Sequence, residues 1–248
     1  MRYHEGVISL LKGEYEKAQV TLSTLSYEGL NSEDLIIGLG LSVLRMGMLP
    51  KQVDVTYRDR AVVQRAGLAE HFNAQRNVSD AVREYDLLAK DFPTFPGAQY
   101  AYGRFLMSNR DEDGAVVAFQ KEIQTSPQHA LARMQIAYLK LNQKDAAAGL
   151  PYAEAGVKLH PRLPLGHYLL GRLLFDTGQT ARAITELEEA RNTAPTEPKI
   201  YFALIRAYSK ANRKADAERA REIFTRLNQQ TQAANSGEAL PEDKPDKP

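Results

Sequence analysis

The chain has 248 residues, 43% hydrophobic and 25% charged, close to the averages of folded domains, which excludes wholesale disorder. Lysine and arginine number 32 against 31 aspartate and glutamate, so no overall field draws nucleic acid or an anionic membrane. The absence of cysteine excludes disulfides, thiolate nucleophiles and cysteine-ligated zinc.

From the N-terminus, Arg2 precedes a short apolar stretch, Val7 to Leu11, that Glu5, Lys12 and Glu14 interrupt, so no signal-peptide core forms. No apolar run approaches the length of a membrane span. As written the chain reads as soluble and cytoplasmic. Periplasmic or secreted placement follows if the true N-terminus lies upstream, since Tyr3 falls inside a helical pattern and bacterial secreted proteins can also lack cysteine. Gly6, Gly13, Ala18 and Leu22 carry a degenerate form of the pattern described next, and residues 1–61 read as degenerate helical repeats. Within them the segment Pro50 to Arg65 reads as helical, with Val53, Val55, Tyr57, Ala61 and Val62 apolar, but without a turn glycine. It is expected to be a shortened or fused helix.

Beyond it the prolines organise the chain. Pro93, Pro127, Pro161 and Pro195 follow one another at a spacing of 34 residues, which for a residue of about 5% abundance has a chance probability on the order of one in ten thousand from a given start. With this proline as the thirty-second residue, repeats start at 62, 96, 130, 164 and 198 and end near 228. The eighth place is small in Ala69, Gly103, Ala137 and Gly171, with Ile205 the exception. The twentieth is small in Ala81, Ala115, Gly149, Ala183 and Ala217, and the twenty-fourth is bulky in Tyr85, Phe119 and Leu187 but Ala153 and Arg221 in the other two repeats. Each proline ends a helix, because the residue before it is pushed out of helical geometry. Gly178 suits a left-handed helix end, and Asp113-Gly114 and Asn142 are expected at similar turns. Residues 229–248, rich in Gln, Asn, Ser, Pro and alternating charge, are expected to be a disordered tail.

Leu170, Gly171, Leu174, Ala183, Leu187, Ala190 and Pro195, and nearly as well Tyr102, Gly103, Leu106, Ala115, Phe119 and Pro127, make the chain resemble the tetratricopeptide-repeat (TPR) family. The resemblance implies an all-α fold, a right-handed α-solenoid of stacked helix-turn-helix units. It also implies a role in binding a partner protein or extended peptide in a concave groove, not in catalysis. A self-associating structural subunit is the alternative, with an accessory subunit of an enzyme complex behind it, and homo-oligomerisation stays open.

No constellation for catalysis or a metal emerges. His4, His71, His129, His160 and His167 form no pair at helical spacing, no Gly-x-Ser-x-Gly elbow or phosphate loop is present, and Gly38-Leu39-Gly40 lacks a third glycine and reads as packing. Asn109 to Gly114 resembles the start of a calcium loop without its distal ligands and reads as a turn. No cofactor, no metal and no nucleic acid are expected. For binding, the second, fifth, ninth and twelfth residues of each first helix share one face. The family resemblance assigns that face to the groove, giving Tyr100, Arg104, Met107, Met134, Tyr138, Tyr168, Arg172, Phe175, Phe202 and Arg206 as candidates. Arginine recurs at the ninth place as Arg104, Arg172 and Arg206, so a partner with acidic and apolar residues is expected. The places that clamp acidic chaperone tails elsewhere in the family read Tyr100, Arg104, Gln135 and Leu169, so that clamp is not reproduced.

Overall fold

The computed structural model describes residues 2–236, and every regular element among them is helical. The helices are α1 (Arg2–Leu11), α2 (Tyr15–Tyr27), α3 (Glu33–Val43), α4 (Arg60–Ala74), α5 (Val78–Asp91), α6 (Ala98–Ser108), α7 (Glu112–Thr125), α8 (Ala130–Asn142), α9 (Ala146–Leu159), α10 (Pro164–Asp176), α11 (Thr180–Thr193), α12 (Pro198–Lys210) and α13 (Lys214–Ser236). They fall into two compact units that divide after Ala132, inside α8. In the first unit α1 pairs with α2, α4 with α5 and α6 with α7, and in the second α10 pairs with α11 and α12 with α13.

Each pair closes where a small residue faces a large one. A Cβ at Gly103 would lie 2.6 Å from the Phe119 ring, one at Gly171 2.6 Å from Leu187, and one at Gly6 2.7 Å from Leu22. In the second unit α9 reaches α8 in the same way, with Gly149 against Lys140 and Ala137. The apolar stripe along each helix then joins its neighbours in continuous cores, one built around Leu22, Leu35, Tyr85 and Leu88 and another around Leu187, Tyr201, Leu204 and Ala217.

The turns inside the repeats are as regular as the prolines between them. Arg76, Arg110, Lys144, Gly178 and Asn212 all take left-handed backbone geometry, and the next residue caps the second helix in three cases. Asn77, Asp111 and Asp145 accept the N–H of Asp80, Gly114 and Ala148. Asp113-Gly114 therefore lies within α7 and Asn142 ends α8, and the left-handed step falls on Arg110 and Lys144 instead. At a fourth helix start a buried carboxylate replaces the cap: Glu122 of α7 accepts the N–H of Gly97 and of Tyr100 at 2.9 and 3.1 Å at the head of α6.

Two other sequence expectations are corrected. The stretch Pro50 to Asp59 is not a regular α-helix: it holds a short 3-10 turn, Pro50–Gln52, followed by turns. Asp54 draws the N–H and hydroxyl of Thr56 onto its own side chain, at 2.8 and 2.6 Å, and so offers the backbone an alternative to the helix. At the other end α13 continues to Ser236, because Gln229 to Ser236 contains neither proline nor glycine to stop it. The rest of the expected tail, residues 237–248, lies outside the described residues.

The irregular segment leaves α3 without a second helix. α3 is instead enclosed by α1, α2, α4 and Pro50, in keeping with a sequence apolar on all sides. It meets α4 backbone to backbone: a Cβ at Gly40 would lie 1.9 Å from the Val63 carbonyl oxygen and one at Gly67 1.9 Å from that of Ile36. α2 also touches α4, through the buried pair Ser26 Oγ and His71 Nδ1 at 2.7 Å. Burial pushes the His71 imidazole below its ordinary pKa.

Gly40→Ala or Gly67→Ala should destabilise the chain by about 3 kcal/mol or more, since the obstructing atoms are backbone and cannot swing aside. Urea unfolding measures it, and a loss below about 1 kcal/mol would contradict the close crossing. The depressed His71 pKa stabilises the fold fully above about pH 6.5 and is lost as pH falls below that value, through the native pKa. The urea midpoint of the native chain should therefore fall between pH 7 and pH 5 more than that of a His71→Gln variant. Equal falls would remove His71 from the acid response.

Candidate functional site

The first helices place the sequence-nominated residues in different settings. Tyr100 and Met134, both fifth residues of their repeats, are only 2% and 1% exposed, so neither is available to a partner. The reason lies in what the fifth residue faces. The Tyr100 ring packs 5.7 Å from Phe119 and 4.6 Å from His129, and Met134 fills the space beside Gly156 and Gly166. The fifth place thus points at the pair's own second helix and the entry to the next repeat. Tyr168 at the same place is half-buried. Phe202 is exposed, its ring 5.9 Å from Phe224, because no first helix follows α13 among the described residues.

With the exception of Glu70, the ninth and twelfth places do reach the surface. In the first unit Arg104 and Met107 are half-buried. Arg104 lines a cavity of about 30 Å³ beside Glu70, Asn73 and Tyr85. Glu70, itself a ninth residue, is buried and accepts hydrogen bonds from Ser23 at 3.0 Å, Asn73 at 3.2 Å and Tyr85 at 2.8 Å. Burial and the Glu70 carboxylate hold the Tyr85 phenol well above its ordinary pKa, so it stays a donor. Around Arg104 the surface is therefore one in which the chain supplies its own carboxylate.

In the second unit Tyr138 is exposed, and α10 and α12 assemble a different surface. Tyr168, Arg172 and Phe175 follow one another at helical spacing on α10, as do Phe202, Arg206 and Lys210 on α12. The Tyr168 ring carries the Arg172 guanidinium at 5.8 Å and the Lys199 ammonium at 5.7 Å, and Arg172 Nη1 also donates to the Tyr168 hydroxyl at 2.9 Å. The Phe175 ring carries Arg206 at 4.9 Å and Lys210 at 5.7 Å. Each ring thus holds two cations. No carboxylate oxygen lies within 4.0 Å of Arg104, Arg172, Arg206 or Lys210 among the described residues, whereas Lys199 pairs with Glu197 at 3.2 Å. Beside Tyr168 an open recess of about 280 Å³ is walled by Leu163, Pro164, Leu165, Ala194 and Ile200.

The structure brings Tyr168 beside Arg172 and Phe175 beside Arg206, while Phe202 packs by Phe224 of α13. Lys199 and Lys210 were missed. Lys199 occupies a second place and was legible by the same rule, but Lys210 sits one residue past the twelfth, and only the position of the Phe175 ring reveals it. Among the described residues no group of three histidines, aspartates or glutamates could hold a metal ion, and no helix is long and apolar enough to cross a membrane.

A sequence model described as tetratricopeptide repeat matches residues 67–130 and 134–198, more than half of the chain. The chain belongs to the tetratricopeptide-repeat family. The matched segments run from α4 to the first residue of α12, so α1 to α3 and most of the last pair lie outside them. None of the curated proteins compared with it matches. Among solved structures it is similar to a MamA double mutant of strain RS-1, with 22% identity over 68% of this chain and 96% of that one and a TM-score of 0.64. A second MamA structure, residues 41 to the end from Desulfovibrio magneticus RS-1, gives 24% identity, 69% and 96% coverage and a TM-score of 0.59. YrrB, described as a TPR protein with an unusual peptide-binding site, gives 13% identity, 75% and 92% coverage and a TM-score of 0.59. At these identities the likeness is one of fold: a TPR array of stacked helix pairs.

Core and surface should separate on truncation. Met134→Ala should cost about 2–5 kcal/mol in urea unfolding, as expected for a buried methionine. Phe202→Ala and Arg206→Ala should each stay within about 1 kcal/mol, the worth of an exposed cation–aromatic contact. A large loss at Arg206 would make it a structural residue.

Proposed function

We propose that this TPR protein is a non-catalytic interaction scaffold, and that the α10–α12 face binds an extended segment of a partner protein carrying acidic and apolar residues. The observation that carries this reading is the pair of aromatic rings, Tyr168 and Phe175, each holding two cations, of which Arg172, Arg206 and Lys210 have no carboxylate partner among the described residues. The rings fix the cations in place before a ligand arrives, so less side-chain freedom is lost when a carboxylate binds. Guanidinium groups take carboxylates through two parallel N–H donors; Arg206, which is exposed, is best placed to do so, while Arg172 already spends Nη1 on the Tyr168 hydroxyl. The recess beside Tyr168 gives an apolar side chain somewhere to be buried, and Phe202 adds flat apolar area at the outer edge. That the structurally similar YrrB is described as having a peptide-binding site favours the same class of ligand.

Arg104 is left out of this surface, since the buried Glu70 beside it already supplies negative charge.

The test is fluorescence anisotropy with labelled ten-residue peptides alternating Asp or Glu with Leu or Phe, set against peptides in which the acids become Lys. The acidic series should bind saturably and weaken as salt rises. The double variant Arg206→Glu and Lys210→Glu should lose at least tenfold in affinity, while Arg104→Glu changes it by less than threefold. Equal binding of the basic series, or indifference to the double reversal, would overturn the reading.

A further inference from the structure

The repeat register shows a second surface, in the first unit, where the array is incomplete. Where the twenty-first place of a repeat, one turn into its second helix, is apolar, it is covered: Val116 in α7 and Ile184 in α11 are exposed by only 8% and 5%, and Leu150 in α9 is half-buried, while the place in α13 holds the charged Glu218. The equivalent residue of α5, Val82, is 40% exposed. The seventeenth place behaves alike: Ala146 of α9 is buried, and Val78 of α5 is exposed. The difference lies in what comes before. α7 and α11 each follow a repeat that has a second helix, and α5 follows the one built on α3, which has none.

The space this missing helix would fill is only partly taken. Leu22 of α2 serves two first helices at once, meeting both Gly6 and Gly38, and Pro50 covers the rest of Gly38 at 3.7 Å. That closes the inner layer. The outer layer remains an open recess of about 350 Å³ walled by Val20, Ser23, Thr24 and Tyr27 of α2 and by Ala74 and Arg76 at the end of α4. Val20 and Tyr27 are exposed apolar residues, and Val78 follows Arg76 by two residues. The Arg76 guanidinium is held 5.5 Å over the Tyr27 ring, with no carboxylate oxygen within 4.0 Å among the described residues.

We infer that this seat takes an amphipathic α-helix from a partner protein, which completes the α3 repeat in trans. The helix sets apolar side chains against Val20, Tyr27, Val78 and Val82 and a carboxylate on Arg76. A helix fits better than an extended strand, because the walls are helices whose backbones are already paired and offer no sheet edge to extend. The second helices of this chain set its length, 13 or 14 residues in α2, α5, α7, α9 and α11, about 20 Å. Arg76 sets its charge, since a free guanidinium fixed on an aromatic ring at the rim selects an acidic side chain over a basic one. The seat is independent of the α10–α12 face.

The probe is a lactam-stapled, fluorescein-labelled peptide with the sequence of α11, Thr180 to Thr193, which carries an Ala183, Ile184, Leu187, Ala190 stripe and three glutamates. Titrated with the full chain, it should bind saturably. Tyr27→Lys, Val82→Lys and Arg76→Glu, all at exposed positions and checked for unchanged helicity by circular dichroism, should each weaken it at least tenfold. Arg206→Glu should leave it unchanged, which separates this result from the fate of the α10–α12 reading. Absence of saturable binding at millimolar peptide, or binding indifferent to Val82→Lys, overturns the inference. So does concentration-dependent dimerisation of the chain that Val82→Lys abolishes, because the occupant would then be a second copy.

Discussion

The contact on which the rest of the structure depends is the one between a residue too small to have a side chain of consequence and the large side chain opposite it. Gly103 under Phe119 and Gly171 under Leu187 let two helices approach until their surfaces interlock. A pair so formed is still too thin to bury its own apolar stripe, so it must lean on the next pair. The 34-residue period, the prolines between repeats and the left-handed residue inside each one serve to bring this contact back at the same place in the next repeat. Where the contact changes, the architecture changes with it. At α3 the small residues Gly40 and Gly67 face backbone instead of a large side chain, two first helices cross directly, and the second helix between them is dispensed with.

The same geometry decides which residues are left for function. Within a first helix, the fifth place is spent on the seam with its own second helix and the following repeat, which is why Tyr100 and Met134 vanish into the core. Phe202, with no first helix following among the described residues, stays outside. The ninth and twelfth places project away from that seam. In the first unit the ninth place holds Glu70 and Arg104 side by side, and the acid is held by three neutral donors of its own chain. In the second unit Arg172 and Arg206 lie over aromatic rings, and neither has a carboxylate oxygen within 4.0 Å among the described residues. An arginine at the ninth place is thus two different things in this chain, depending on what the neighbouring repeat presents.

Much of this was legible in the sequence, and the parts that were not failed for physical reasons. The helical class and the repeat family follow from proline spacing and from the alternation of small and large residues, because those signals report the packing contact itself. The left-handed turns at Arg76, Arg110 and Lys144 carried no signal: a glycine advertises such a backbone, but Arg and Lys adopt it at a cost of about 1 kcal/mol that the surrounding helices override. The stretch from Pro50 to Asp59 had the apolar content of a helix, and one aspartate at Asp54 turned it aside. The family resemblance assigned the face that holds Tyr100 and Met134 to the groove, since periodicity reports which residues share a face and not what covers that face. Lys210, one place beyond the pattern, became visible only through the ring it covers.

The measurement that bears most directly on the account is nuclear magnetic resonance of the arginine Nε–Hε signals and aromatic side chains during titration with an acidic, leucine- and phenylalanine-containing peptide. The account predicts shifts concentrated at Arg172, Arg206, Tyr168, Phe175 and Phe202, with Arg104 and Arg76 unmoved. Shifts centred on Arg104, or spread over the second helices with Arg206 silent, would contradict it.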